Sequence, residues 1–408
     1  MKPLGPIPMG FGSAHGQLQV GGISLSELVA RGGRTPLFVY SRAMVAERIA
    51  ALRAVLPRSI SVNYAIKANS FTPLLSAMTK LVDGFDIASG GELAMALNAG
   101  MPGERISFAG PGKRDEELRA AITAGVTLNL ESESEAERAL AIGRQLGAAP
   151  RLAIRVNPDF ELRGSGMKMA GGAKPFGIDA GRVPALMRKL ADEPCEFRGL
   201  HIFAGSQSLD AQAIIEAQGK VLALADRLAS DAGVPLPVLN MGGGFGIPYF
   251  AGDVPLDIGV IGAALNRAVG DLPPTLTRCE FHLELGRYLV GEAGVYLTRI
   301  VDRKVSHGEV FLITDGGLHH QLAASGNFGT VVRRNYPAAI ANRLNEEPVE
   351  VASIVGCLCT PLDRLADKAL LPRAEPGDIV AIFCAGAYGA SASPSSFLGQ
   401  GPAAEILV

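Results

Sequence analysis

Leu236-Pro237-Val238-Leu239-Asn240-Met241-Gly242-Gly243-Gly244-Phe245-Gly246 is the stretch that decides the architecture. A short apolar run ends in a turn with four glycines in five positions, so a strand leads into bare backbone N–H groups. In a doubly wound sheet such a turn follows an early strand. Here six other strand-like runs come first, at 61–66, 82–88, 105–109, 126–130, 151–156 and 198–204, and one more follows at 278–284. Helix-period segments separate them. In 210–230, Ile214, Ala217, Val221, Ala225 and Leu228 recur at three- and four-residue steps and mark one buried stripe. Eight β-α alternations over roughly 230 residues read as a closed (β/α)8 barrel, an α/β fold.

The texture changes after about residue 290. Val295–Val301, Val310–Ile313, Val349–Val355 and Ile379–Phe383 are strand-like with few helical intervals, and 35–40 reads as a further strand. The expected division is a barrel over 41–290 and a second, β-rich domain, barrel-like or sandwich-like, from 1–40 plus 291–408.

The chain has 408 residues, 48% of them apolar and 19% charged, which is enough apolar content for a large core and argues against disorder. A formal charge of −2 gives no reason to expect a nucleic acid or an anionic membrane as partner. The start, Met1-Lys2-Pro3-Leu4-Gly5-Pro6, lacks the apolar stretch of a signal peptide, and no apolar run approaches a membrane span. Five cysteines (195, 279, 357, 359, 384) without framework spacing suit a reducing compartment. A cytoplasmic protein is expected.

Active sites of such barrels lie at the C-terminal ends of the strands. Lys67, in Tyr64-Ala65-Ile66-Lys67-Ala68-Asn69-Ser70, ends the first strand. An ammonium on an apolar strand is kept for chemistry, most commonly a Schiff base with an aldehyde, which points to pyridoxal 5'-phosphate. Asp86, Arg155, His201 to Ser206, Gly242 to Gly244, and Glu284 with Arg287 fall at the ends of later strands. The glycine turn and Arg287 suit a phosphate. Glu284 reads either as the partner of a pyridine nitrogen or as a capping carboxylate. Glu280, His282 and Glu284 share a strand face, but no HxxH or CxxC spacing supports a metal, and none is expected. His319 and His320, read on a strand, would point apart. Cys359 reads as a small buried hydrophobe or, facing a cofactor, as a proton donor.

Over nearly its whole length the chain resembles the ornithine/diaminopimelate decarboxylase group of fold-type III pyridoxal-phosphate enzymes. The matching stretches are Tyr64–Asn69, Gly84–Glu92, Gly205-Ser206-Gln207, Gly242–Gly246, Glu284-Leu285-Gly286-Arg287, Cys359-Thr360-Pro361-Leu362-Asp363 and Gly386-Ala387-Tyr388-Gly389. Within the group it is most similar to the exosortase-associated and aminoacyl-carrier-protein decarboxylases. The resemblance implies that Lys67 holds the cofactor, that Ser206, Gly243, Gly244, Arg287 and Tyr388 surround its phosphate, and that Glu284 meets its ring nitrogen. Asp86 and Arg155 would support them. Cys359 would protonate the substrate carbon from the partner subunit of a head-to-tail homodimer, with Thr360, Asp363 and Tyr388 near the substrate.

Two departures narrow the substrate. Relatives place a histidine two residues before Gly205, where this chain has Phe203, with His201 two residues earlier on the same face. Phenylalanine stacks on a ring but offers no hydrogen bond. Relatives that bind a distal amine carry an acid directly after the cysteine, where this chain has Thr360. The stretch Ala323-Ala324-Ser325-Gly326-Asn327-Phe328-Gly329 also lacks the arginine of diaminopimelate enzymes. The expected activity is removal of an α-carboxylate from an amino acid, free or linked to a carrier protein. A diaminopimelate-type decarboxylase, a racemase on the same fold and a non-catalytic cofactor carrier are the alternatives. Glu284 opposes the racemase, for which the family uses arginine, and the second domain opposes the carrier.

Overall fold

A computed structural model of the chain describes residues 1–161, 167–168, 171–326 and 333–408. By contact density the chain divides into two compact units, Ile49–Gly246 with Leu256–Gly286, and Met1–Arg48 with Ile247–Pro255 and Arg287–Val408.

The first unit is a closed parallel barrel. Its strands are β1 (Ile60–Ala65), β2 (Gly84–Ile87), β3 (Ile106–Phe108), β4 (Thr127–Leu130), β5 (Arg151–Asn157), β6 (Glu196–Ile202), β7 (Val238–Asn240) and β8 (Glu280–Leu285). Each pairs in parallel with the next, and β8 closes on β1 through Phe281 opposite Ile60 and Leu285 opposite Tyr64. All eight expected strands are present, most of them shorter than the apolar runs that signalled them. Helices cover the outer face, so the strands are buried along most of their length.

The helix Ala211–Ala232 explains how a covering helix is fixed. Asp210 caps it by accepting from the N–H groups of Gln212 (2.9 Å) and Ala213 (3.1 Å). The stripe Ile214, Ala217, Val221, Ala225 and Leu228 is buried, and Gly233 ends the helix in a left-handed conformation at φ 66°.

The second unit is built on one long strand, Gly294–Ser306. Its first half pairs antiparallel with Leu37–Tyr40 and Ile379–Ile382, and its second half with Glu309–Thr314. Glu350–Val355 continues the sheet, and Arg364–Leu371 pairs with it. Leu18, Val20, Leu28, Leu37, Val295 and Leu297 are among the side chains of its core. Most of these strands match the expected runs, while Ala338–Ile340, Arg364–Leu371, Ala404–Leu407 and the small meander from Phe11 to Ser24 are strands without such a run. His319 and His320 do not point apart. They follow the strand in a turn, not on it, and their rings lie 3.9 Å apart.

Candidate active site

Chain geometry brings one cluster together at the C-terminal rim of the barrel. Lys67 does not sit on β1 itself but in a single 3-10 turn, Ile66–Ala68, directly beyond it. Its Nζ is 3.7 Å from Oε1 of Glu284, near the end of β8, and 5.8 Å from the centre of the Phe203 ring. Glu284 is 7% exposed, and its other oxygen lies 3.0 Å from Nε2 of His201, which is 1% exposed. That contact is close but not aligned as a hydrogen bond, and Nδ1 of His201 has no partner among the described residues. His201 and Phe203 occupy alternate positions, the penultimate residue of β6 and the residue just beyond its end, which is how both come to face inward.

Asp86 completes the cluster. It is buried on β2, and neither of its oxygens has an aligned hydrogen-bond partner among the described residues. Burial, then the charge of Glu284, pushes its carboxyl well above the usual carboxylate range, against Ser107, Lys67 and Asn63. Burial acts the same way on Glu284, but His201, Lys67 and Arg155 outweigh it and hold that carboxyl at about 2. Two neighbouring buried acids are thus pushed apart, one toward the neutral form and one firmly ionised. Such a split is a signature of a working site.

Behind this pair lies a network of which the sequence marks only Arg155. Arg155 Nη1 donates to Oε1 of Glu131 (2.8 Å), which also accepts from the N–H of Gly110 (2.6 Å). Oε2 of Glu131 accepts from the N–H of Gly177 (2.7 Å). Lys113 pairs with Glu135 at 2.6 Å, both side chains 1% exposed. Glu131 directly follows β4, so the strand-end rule applied to Leu130-Glu131 would have found it.

The glycine turn after β7 is held by Asn240 at its start and by the backbone of Ser208. Asn240 Oδ1 accepts from the N–H of Gly242 (2.9 Å), and Ser208 bridges the turn, its N–H donating to Gly244 O and its carbonyl accepting from the N–H of Gly246 (both 2.9 Å). Gly242 and Gly244 have φ of 66° and 83°, and a Cβ on Gly243 would sit 2.2 Å from the carbonyl oxygen of Glu284. The N–H groups of Gly243 and Gly244 make no hydrogen bond among the described residues, so they are available to an anion. Ser206, half-buried, follows Gly205 in the short strand paired with Met167–Lys168. A separate cavity of about 210 Å³ at the opposite end of the barrel is lined by Asn63, Ser107, Asn129, Asn240 and His282. It holds none of the rim cluster.

The remaining candidates lie in the β-rich unit. Arg287 opens the short helix Arg287–Val290, donates to the Tyr249 hydroxyl (2.9 Å) and lies 4.7 Å from the Tyr388 ring. Cys359 is exposed, which removes the reading of a buried hydrophobe, and Thr360 beside it is half-buried. Asp363 is 3% exposed. Its oxygens accept from the N–H groups of Leu318 (2.7 Å) and Leu358 (2.9 Å), so it ties down the turn that carries Cys359. Of the loop lacking an arginine, Asn327 to Gly329 lie outside the described residues.

Comparison with known proteins gives this geometry a context. Residues 42–291 match the family model described as pyridoxal-dependent decarboxylase, pyridoxal binding domain. The chain is 35% identical to an L-glutamyl-[BtrI acyl-carrier protein] decarboxylase of Niallia circulans, over 91% of this chain and 88% of that one. It is also 35% identical to a diaminopimelate decarboxylase of Aquifex aeolicus, over 96% and 91%. Among solved structures, a protein of Aquifex aeolicus superimposes with a TM-score of 0.84 at 32% identity, covering 98% of this chain and 92% of that one. Diaminopimelate decarboxylase of Helicobacter pylori, complexed with L-lysine, gives 0.82 at 26%, with 94% of each chain covered.

The residues present fit pyridoxal phosphate. Among the described residues, both oxygens of Asp86 and Oε2 of Glu284 are buried without an aligned hydrogen bond, Oε1 of Glu284 faces Lys67, and Gly243 and Gly244 offer N–H donors that no described group takes.

Proposed function

The chain belongs to the pyridoxal-dependent decarboxylases, and from that premise we propose that it removes the α-carboxylate of an amino acid tethered to a carrier protein, glutamyl or a close relative. The observation that carries the site is Lys67 beside a buried carboxylate held ionised, with a second, neutral-leaning carboxyl next to it. The carrier-linked substrate is supported by the 35% identity to a carrier-protein decarboxylase and by Thr360, which offers no charge to a distal amine. The equal identity to a diaminopimelate decarboxylase supports a second reading, which Thr360 weakens. The split of 41–290 as the cofactor-binding part is supported by the family match over 42–291.

Lys67 would hold the cofactor's aldehyde, Glu284 its ring nitrogen, Phe203 a face of its ring, and Ser206, Gly243, Gly244, Arg287 and Tyr388 its phosphate. When bound, the cofactor supplies an electron sink for the pair left as CO2 departs. His201 keeps Glu284 ionised and in place. Asp86, with Glu131 behind Arg155, keeps the rim polar but short of surplus charge. Cys359 Sγ would deliver the proton to the α-carbon, serving the site of a partner copy in a head-to-tail dimer, and its exposure supports that reading. Asp363, with its oxygens engaged by backbone, is better read as holding the Cys359–Thr360 turn than as touching substrate. Five free cysteines support a reducing, cytoplasmic setting, and among the described residues no helix is long and apolar enough to cross a membrane.

The test is Lys67→Ala together with borohydride labelling of the wild type. The expected result is loss of cofactor absorbance and of CO2 release in the variant, with the label on the Lys67 peptide. A variant that keeps both, or a label on another lysine, ends the proposal.

A further inference from the structure

Beside the Cys359 turn, the β-rich unit carries a cluster of cations that its own acids do not neutralise. Arg333 is half-buried, and its Nη2 reaches the carbonyl oxygen of Leu362 at 3.4 Å. Among the described residues it has no carboxylate within ion-pair distance. Burial, then the neighbouring charge of Arg364, lowers its pKa, with Asp367 opposing. Asp367 is already shared, since Arg364 and Lys2 both pair with it, the latter at 2.7 Å. Arg334 lies 3.8 Å over the Phe250 ring and only 4.0 Å from Asp253, so its exposed guanidinium is held by stacking more than by charge. Among the described residues, four cations therefore face two carboxylates, in a chain whose formal charge is −2. Leu362 stands among them 54% exposed.

A partly desolvated guanidinium beside a second one is under-satisfied unless an anion arrives. We propose that this patch docks an acidic protein that carries the substrate, with Arg333 taking an anionic group of that partner and Leu362 an apolar one; the proposal rests on the carrier-linked reading above. A protein suits the patch better than a free small anion, because the cations are spread around an exposed apolar side chain and are not gathered on one point. The location is chemically sensible. Arg333 binds the backbone of the same turn that presents Cys359 and Thr360, so docking there delivers a tethered amino acid beside the proposed proton donor.

The experiment compares the cofactor-loaded enzyme on a glutamyl-loaded acyl-carrier protein and on the same glutamyl group carried by N-acetylcysteamine. Arg333→Glu and Arg334→Glu are measured alongside Lys80→Glu, an exposed cation of the barrel unit. The expected result is a loss of at least about tenfold in kcat/KM on the carrier protein for the Arg333 variant, mainly in KM and fading as salt rises, with the small thioester unaffected. Lys80→Glu leaves both substrates unchanged. Equal loss on both substrates, or a change of oligomeric state by light scattering, assigns the patch to the site or to a subunit contact and overturns the proposal. No loss on either also overturns it. A wild type that turns over the small thioester as well as the loaded carrier defeats the carrier reading itself, a separate outcome.

Discussion

Lys113→Met tests the buried network most directly. The ammonium of Lys113 uses three donors on three acceptors: Glu135 Oε1 at 2.6 Å, and the carbonyl oxygens of Gly110 and Asn129, both at 2.8 Å. Removing it strands a carboxylate that is 1% exposed and whose other oxygen has only a long bond, 3.3 Å, from the Glu131 N–H. Breaking one side of such a pair costs about 3–5 kcal/mol. Replacing both partners, Lys113→Met with Glu135→Leu, removes the uncompensated charge and should cost clearly less than the single change. The sign of the pH effect follows from Glu135. Burial already raises its carboxyl, and without Lys113 it rises further. A raised acid destabilises the fold while ionised, so the penalty of Lys113→Met is full at neutral pH and shrinks as pH falls through the raised value. Equilibrium urea denaturation followed by circular dichroism, at neutral pH and near pH 5, reads both. A single-variant loss below about 1 kcal/mol, or strictly additive changes in the double variant, would refute the reasoning.

Gly243→Ala should weaken cofactor binding by about 5- to 150-fold, the equivalent of about 1–3 kcal/mol of overpacking, because the new Cβ meets a carbonyl oxygen at 2.2 Å; titration of the apo chain by absorbance checks it. His320 is held at about 4 by burial, then by neighbouring His319, with its Nε2–H given to Gly401 O (3.0 Å) and its Nδ1 taking the Tyr296 hydroxyl (3.0 Å). Its folded value lies below the unfolded one, so stability is full above about pH 6.5 and falls by up to about 3 kcal/mol on the way down to pH 4. His320→Gln should flatten that acid limb in urea midpoints measured against pH, and an unchanged limb would remove His320 as its source.

The barrel was legible because its signal is additive. Eight apolar runs with intervening helical stripes overdetermine a closed parallel sheet, even where Val238–Asn240 shrinks to three residues. Lys67 and Glu284 were legible for a related reason, since strand ends are readable and the rim of a barrel collects them. Arg364–Leu371 was not. Arg-Leu-Ala-Asp-Lys-Ala-Leu-Leu has helix-forming composition, and only pairing with Glu350–Val355, through a bulge that puts Lys368 at φ 47°, makes it a strand.

What stayed hidden in the site is harder to recover in principle. The sequence marks Arg155 but not Glu131, Lys113 or Glu135, because each is defined by a partner 20 or more residues away in a neighbouring β-α unit. The motif points Asp363 toward substrate, but a carboxylate's use depends on which N–H groups the fold aims at it, and here Leu318 supplies one from 45 positions away. His201 is the sharpest case. Position alone ranked it below Phe203, the residue at the stacking place. Contact reverses the order of importance for charge: the imidazole of His201, at 3.0 Å, is the strongest of the groups that hold Glu284 ionised against its own burial, while the phenyl ring can only lie beside Lys67. A substitution that spared the ring and removed the imidazole would therefore disturb the proton balance between Glu284 and Asp86 first and the shape of the site second.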